Sequence, residues 1–242
     1  MITTRAQLAS YLDQTNLTLG ATYGELETFL EVAVDTGFRA VCVLPNMTSL
    51  ARRITAGTAT RLATVVSFPL GSDVPAVKVA ETRHLLDLGT DEIDVVIDIA
   101  HARMGHEDAI SAEVSAVRSL LVEEQLLKVI IEMPLLTNEQ AVAAARAAER
   151  GGAHIVKTST GFKGLKLRGT TPEDVRLLRS VLRPETGIKA AGGIRTTEQA
   201  LALIEEGATR IGTSSGLAIL EGFLERGPGD HALPASPHPV AA

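Results

Sequence analysis

Short runs of aliphatic and β-branched residues recur along the chain, separated by stretches of mixed polarity. Each run has the length and composition of a strand rather than of a helix. A weaker run that would form the first strand spans Tyr11–Thr15. The clear runs span Arg39–Val43, Leu62–Phe68, Glu92–Ile97, Lys128–Glu132, His154–Lys157, Gly187–Ala191 and Arg210–Thr213. The pattern therefore predicts eight strands.

The stretches between these runs carry signals that start helices. Thr22–Glu25 has the Thr-x-x-Glu pattern of a capping box, and the apolar residues after it recur at helical spacing. Thr137–Gln140 and Thr196–Gln199 repeat the pattern with Gln. Thr171–Pro172 places proline in the first turn of another predicted helix.

The order of the predicted elements indicates the α/β class. Strands that alternate with helices over short connections are parallel and joined by right-handed crossovers. Eight such units in 242 residues favour a single (β/α)8 TIM barrel, a fold of about 250 residues, with an open doubly wound sheet as the alternative. We assign the barrel to residues 1–225. Residues 226–242 are rich in proline and lack periodicity, so they are predicted to form a disordered C-terminal tail.

Composition narrows the range of partners. A net charge of −6 without a Lys/Arg cluster provides no basic face for nucleic acid. No apolar run reaches the roughly 18 residues of a membrane span. A single cysteine excludes an internal disulfide framework, and the polar N-terminus shows no secretory signal. We therefore expect a cytoplasmic protein without a nucleic-acid or membrane partner, and leave a homo-oligomer open.

Lys157 ends an apolar run in the segment HIVKTSTGF. A lysine on a strand is usually a solvated charge at a sheet edge. A closed barrel has no edge, however, and helices cover its outer face, so Lys157 must point into the barrel mouth or be buried at a cost. Burial favours the neutral amine, which is the form that attacks a carbonyl carbon.

Two further ionisable residues are predicted to meet Lys157. Lys189 occupies the equivalent place on the next strand, in GIKAAGGIRT, so each ammonium is expected to lower the pKa of the other. Asp94, in EIDVVID, lies on an even-numbered strand like Lys157, and alternate strands share one layer of a barrel interior. Asp94 could shuttle protons or only form an ion pair with a lysine. Asp98 is either an alternative acid or a cap of the next loop.

Glycine- and serine-rich segments follow the last two predicted strands. Gly192 and Gly193 lie after strand seven, and Ser214 and Ser215 lie after strand eight. Backbone N–H groups in such loops bind anions, and TIM barrels commonly hold a substrate phosphate with these two loops. Gly and Ser also serve plain turns. Together the two segments predict a small phosphorylated ligand.

These motifs, taken in order, resemble those of the deoxyribose-phosphate aldolase family. The resemblance rests on KTSTGF around Lys157, IKAAGGIRT around Lys189, EIDVVI around Asp94, KVIIE on the fifth strand and RIGTSSG near the end. LDQT and VCVLP are similar to the first two strands of that family. The match covers roughly residues 8–220.

The resemblance implies a class I, Schiff-base-forming aldolase. Such an enzyme reversibly cleaves 2-deoxy-D-ribose 5-phosphate to D-glyceraldehyde 3-phosphate and acetaldehyde, without metal or cofactor, in deoxyribose phosphate catabolism. By motif position, Lys157 would form the Schiff base, and Asp94 and Lys189 would donate and accept protons. The residues that would hold the phosphate are Gly161, Gly192, Gly193, Ser214 and Ser215.

The chain departs from this family pattern at several positions. Ser67 stands where Gly is usual, Met133 where Thr is usual and Asp98 where Asn is common, and the segment Lys163–Arg168 is slightly long. None is a predicted catalytic residue, so the departures bear on substrate preference. The alternatives are an aldolase of the same mechanism with another phosphorylated substrate, a phosphosugar isomerase barrel and a non-catalytic phosphate-sensing barrel. The last two would not need paired lysines.

Overall fold

The computed structural model describes residues 2–224, except for the side chain of Lys163, and shows a closed barrel of eight parallel strands in chain order. This confirms the predicted TIM barrel and excludes the open sheet. The predicted boundary at residue 225 and the tail 226–242 lie outside the described residues. The strands are β1 (Leu12–Asn16), β2 (Ala40–Val43), β3 (Arg61–Val66), β4 (Glu92–Val96), β5 (Leu126–Ile130), β6 (Ile155–Lys157), β7 (Gly187–Ala191) and β8 (Arg210–Thr213).

Helices connect successive strands around the outside of the barrel, and a further helix precedes β1 and another follows β8. They are α1 (Arg5–Ala9), α2 (Tyr23–Thr36), α3 (Thr48–Thr55), α4 (Pro75–Asp87), α5 (Ile99–Met104), α6 (Glu107–Arg118), α7 (Asn138–Arg150), α8 (Pro172–Val181), α9 (Thr197–Glu205) and α10 (Gly216–Glu221). Short 3-10 turns span Pro45–Met47, Met133–Leu135 and Lys163–Leu165. Among residues 2–224, no helix has the length and apolar character needed to cross a membrane.

The predicted helix starts are present. Thr22, Thr137 and Thr196 each accept a hydrogen bond from the backbone N–H three residues later, and the Glu or Gln side chain there bonds back. These capping boxes begin α2, α7 and α9. Pro172 begins α8, as predicted, and Asp174 completes a further capping box there. A cap of this kind typically stabilises a helix by about 1 kcal/mol.

Two strands end earlier than the sequence predicts because the backbone enters the left-handed region. The third strand is expected to reach Phe68, but Ser67 has a φ of 53° and β3 ends at Val66. This conformation suits the Gly that is usual at position 67. In this chain the Ser67 hydroxyl donates to Asp73 Oδ2 at 2.8 Å. The fifth strand likewise ends at Ile130, because Glu132 has a φ of 50°.

The strands are buried on both faces, and their residues alternate between them. Residues such as Ile93 and Leu127 face outward and belong to the main hydrophobic core. Their neighbours Asp94 and Lys128 stand opposite each other in the register of β4 and β5 and face the barrel interior. The fold therefore collects charged side chains on the inner face of the sheet.

Candidate active site

Seven ionisable side chains fill the barrel interior along β1 and from β4 to β8. TIM-barrel interiors are usually packed with branched aliphatic residues, so this composition marks the region as special. None of the seven is more than 5% exposed. The buried ion cluster consists of Asp13, Glu92, Asp94, Lys128, Lys157, Lys189 and Arg210.

Asp94 contacts both of the other residues that the sequence singles out for catalysis, Lys157 and Lys189. Its Oδ2 accepts hydrogen bonds from Lys157 Nζ and Lys189 Nζ, both at 2.8 Å. Lys128 Nζ donates to Oδ1, the other oxygen, at 2.7 Å. One carboxylate therefore bridges the amino groups of three lysines.

Asp13 and Glu92 complete the cluster. Lys189 Nζ lies 2.6 Å from Asp13 Oδ2, and Lys128 Nζ lies 2.5 Å from Glu92 Oε2. Arg210 Nη2 lies 2.5 Å from Asp13 Oδ1 and 2.8 Å from Glu92 Oε2. Because every charge has an opposite partner in contact, the desolvation penalty of burying it is offset.

The contacts determine the charge states of Asp94 and Lys189. Burial would raise the pKa of Asp94, but the three lysines around it hold that pKa well below its usual value. Burial would lower the pKa of Lys189, but the carboxylates of Asp13 and Asp94 outweigh burial and raise it. The expectation that the paired lysines lower each other's pKa is therefore wrong for Lys189, whose two carboxylate partners dominate. At neutral pH Asp94 is an anion and Lys189 a cation.

The three lysines of the cluster differ in the number of carboxylates that they contact. Within the described part of the chain, Lys157 forms an ion pair with Asp94 alone. Lys189 contacts two carboxylates, and Lys128 contacts three. Of the three lysines, Lys157 is therefore the one that contacts the fewest carboxylates of the cluster.

A cavity of about 450 Å³ adjoins Lys157 at the carboxyl ends of the strands. Four of the predicted phosphate-binding residues line it with Lys157, whereas Ser215 is not among the lining residues that the structure describes. The Ser215 N–H donates to Thr213 Oγ1 at the start of α10. The four that line the cavity are Gly161, Gly192, Gly193 and Ser214.

Another part of the cavity wall is apolar. It is formed by Leu17, Leu19, Phe68 and Phe162. The rings of Phe68 and Phe162 meet edge to face, with centroids 5.8 Å apart and an interplanar angle of 88°. The cavity thus suits a ligand with an anionic end and a hydrocarbon part.

Asp98 lies outside this cavity. Its Oδ1 accepts hydrogen bonds from the backbone N–H groups of Ala100 at 2.8 Å and His101 at 3.3 Å. Of the two roles left open for Asp98, the cap of the following segment is the correct one. Among residues 2–224, no three His, Cys, Asp or Glu side chains are grouped so as to hold a metal ion.

The sequence prediction missed four members of the cluster, namely Asp13, Glu92, Lys128 and Arg210. The signal was nevertheless present, because each is a charged residue inside a predicted strand. The argument that turns Lys157 inward applies equally to them, since helices cover the outer face of every strand in a closed barrel.

Comparisons with known proteins agree with this geometry. Residues 7–222 match the family model described as DeoC/LacD family aldolase. The chain is 46% identical over 215 residues to the deoxyribose-phosphate aldolase of Deinococcus radiodurans, which covers 89% of this chain and 96% of the relative. It is 45% identical over 218 residues to that of Thermococcus gammatolerans, with 89% and 96% covered.

Comparison with solved structures indicates the same family. The deoxyribose phosphate aldolase from Aeropyrum pernix, described as a tetramer, matches with a TM-score of 0.78 and 33% identity over 90% of this chain and 91% of that chain. The family match, the relatives and the shared barrel agree over most of the chain. The chain belongs to the DeoC/LacD family of aldolases, which are lyases.

Proposed function

We propose that this aldolase reversibly cleaves 2-deoxy-D-ribose 5-phosphate to D-glyceraldehyde 3-phosphate and acetaldehyde through a Schiff base on Lys157. The observation that carries the proposal is the position of the Lys157 amine. It lies between the Asp94 carboxylate, at 2.8 Å, and a cavity lined by the predicted phosphate loops. The relatives, which are named deoxyribose-phosphate aldolases, support the assignment of this substrate. The setting would be deoxyribose phosphate catabolism in the cytoplasm.

The first half of the reaction builds an electron sink. Neutral Lys157 attacks C1 of the open-chain sugar, and loss of water gives an iminium ion. The iminium places a positive charge beside the Asp94 carboxylate, which lies 2.8 Å from the Lys157 nitrogen and compensates that charge. This preorganised anion stabilises the charge as it develops.

The second half breaks the C2–C3 bond. When the C3 hydroxyl loses its proton, the bonding electrons move into the iminium, which leaves an enamine on Lys157 and releases D-glyceraldehyde 3-phosphate. We assign the proton transfers to Asp94 and Lys189, acting directly or through water. Anionic Asp94 is suited to accept a proton, and cationic Lys189 is suited to donate one to C2 of the enamine. Hydrolysis of the resulting imine releases acetaldehyde and restores Lys157.

The phosphate is assigned to the loops that follow β6, β7 and β8. Gly161, Gly192, Gly193 and Ser214 line the cavity, and Ser215 is included through its place next to Ser214. The only partner required is this small phosphorylated sugar, with no nucleic acid and no membrane. A homo-oligomer is compatible with the tetramer described for the Aeropyrum pernix relative.

Trapping with borohydride tests this proposal. The protein is reduced in the presence of 2-deoxy-D-ribose 5-phosphate or acetaldehyde and mapped by mass spectrometry. We expect an adduct on Lys157 in the parent and none in Lys157→Arg. An adduct on another lysine, or none, would overturn the mechanism. An adduct without release of D-glyceraldehyde 3-phosphate would indicate an aldolase with another phosphorylated substrate.

A further inference from the structure

Glu132 marks the point where the chain leaves the barrel after β5. The N–H of Ile131 still donates to Lys157 O at 3.1 Å, which continues the pairing with β6. Glu132 then adopts a left-handed conformation, with φ 50° and ψ 55°. A long side chain is disfavoured in that conformation. Such strain persists where surrounding contacts over-determine the residue, which is common at functional sites.

The side chain of Glu132 is held within the barrel mouth. It is 0% exposed, and its two carboxyl oxygens lie 3.3 Å and 3.2 Å from the backbone N–H of Thr160. Burial raises the pKa of this carboxyl, while hydrogen bonds from Thr160 and the charge of Lys157 oppose the rise. Glu132 therefore holds the backbone three residues after Lys157.

Thr160 begins the turn in which the loops after β6 and β7 meet. Its hydroxyl accepts a hydrogen bond from the N–H of Phe162 at 3.2 Å. Gly161, between them, has a φ of 65°, and a Cβ there would lie 3.1 Å from the Cα of Gly192. Both glycines line the cavity. A shift of Thr160 would therefore move one half of the predicted phosphate site relative to Lys157.

We propose that Glu132 is a positioning residue that sets the distance between the phosphate loop and Lys157. It would act through Thr160 and Gly161, so that a sugar anchored by its phosphate presents its aldehyde carbon to the amine. This inference rests on the proposed function. The proposal predicts a selective effect. Turnover of a phosphorylated substrate depends on the position of the phosphate loop, whereas turnover of an unphosphorylated substrate does not.

Two conservative variants separate the effect of side-chain length at residue 132 from the effect of its charge. Glu132→Gln keeps the length of the side chain and an acceptor oxygen, whereas Glu132→Asp keeps the carboxylate but shortens the side chain. Turnover is measured with 2-deoxy-D-ribose 5-phosphate and with 2-deoxy-D-ribose, and inorganic phosphate serves as a competitive probe. Glu139→Ala, on the exposed first turn of α7, is the matched control.

We expect Glu132→Asp to lower kcat/KM for the phosphorylated sugar by about 100-fold, the scale of a misplacement of about 1 Å. For 2-deoxy-D-ribose the loss should stay below about threefold, and Glu132→Gln should retain both activities within about fivefold. Inhibition by inorganic phosphate should weaken in Glu132→Asp alone. Melting temperatures identify any variant that fails to fold.

Equal losses of kcat/KM on both sugars would overturn the positioning role. So would an inactive Glu132→Gln variant beside an active Glu132→Asp variant, because the charge of residue 132 would then matter more than the length of its side chain. The proposed function fails separately: in that case the parent itself would neither release D-glyceraldehyde 3-phosphate nor form an adduct on Lys157.

Discussion

The two faces of β4 and β5 are equally buried but differ in chemistry. Ile93 and Leu127 pack outward against helices, and the next residue on each strand, Asp94 and Lys128, faces inward. All four are 0% exposed. Burial alone therefore does not identify the residues of the candidate active site. A substitution on the outer face leaves a cavity, whereas one on the inner face leaves a charge without its partner.

The interior itself is divided in a similar way. Cys42, Ala63 and Val65, on β2 and β3, form a small apolar cluster separate from the main core. Val65 stands opposite Asp94 in the register of β3 and β4, so the border between the apolar and ionic parts runs between these strands. The ionic part is the one that contains Lys157.

The largest effect is expected at Lys157. Both Lys157→Ala and Lys157→Arg should reduce turnover by at least about 10⁴-fold, the scale seen when a covalent nucleophile is removed. Arg keeps the positive charge beside Asp94 but cannot form the imine. The measurement is release of D-glyceraldehyde 3-phosphate in a coupled assay, with circular dichroism to check the fold. Substantial turnover in either variant would remove Lys157 from the nucleophile role.

Adjacent residues on β4 compare the two faces directly. Asp94→Asn leaves three buried lysine side chains without their shared anion. We expect a loss of about 3–5 kcal/mol in unfolding free energy and at least about 100-fold in turnover. Ile93→Val removes one methylene from the outer face and should cost about 0.5–1.5 kcal/mol with turnover retained. Denaturant unfolding of both variants is the test, and equal losses would mean that the two faces are energetically equivalent.

Lys189 tests whether charge within the cluster controls Lys157. Lys189→Leu removes a positive charge beside Lys157, so the Lys157 amine should hold its proton to higher pH. Borohydride trapping should then be slow at pH 7 and recover as the pH rises, by about tenfold per pH unit. Lys189→Arg keeps the charge and should trap at a rate closer to the parent. If the three pH profiles share one midpoint, Lys189 does not tune Lys157.

Acidification should lower the stability that the buried ion cluster contributes to the fold. The pKa of Asp94 is held low in the folded protein, as is that of Asp13 by Arg210, Lys189 and Lys128, which outweigh burial. Their stabilisation is therefore present above the unfolded value of about 3.9 and is lost as the pH falls towards the folded values. Unfolding free energy should drop between about pH 5 and pH 3, less steeply in Asp94→Asn. Parallel slopes would contradict this assignment.

The sequence predicts which charged residues face the barrel interior better than it predicts the pKa shifts of those residues. Charged residues inside strands of a closed barrel must face inward, which is sufficient to place Lys157, Asp94 and Lys189. The sign of the pKa shift at Lys189 depends on Asp13, and no local pattern reveals this contact between β7 and β1. The left-handed turn at Glu132 is also invisible, because it depends on contacts with a different strand. Helix caps, by contrast, are local, and the sequence predicts the capping boxes at Thr22, Thr137 and Thr196, although it misses the one at Thr4.

The smallest effect is expected in the apolar part of the interior. Burial raises the pKa of the Cys42 thiol, and the nearby Asp94 carboxylate raises it further, so Cys42 is uncharged and contributes no charge to the ion cluster. Cys42→Ala therefore removes a sulfur atom of about methylene size from a packed site, which should cost about 1 kcal/mol. Turnover should stay within about twofold of the parent, because the charges around Lys157 are unchanged. Urea unfolding and the coupled assay measure the two quantities. A loss of several kcal/mol, or a shifted pH profile, would show that the apolar and ionic parts of the interior are coupled and that the border between β3 and β4 is not an energetic one.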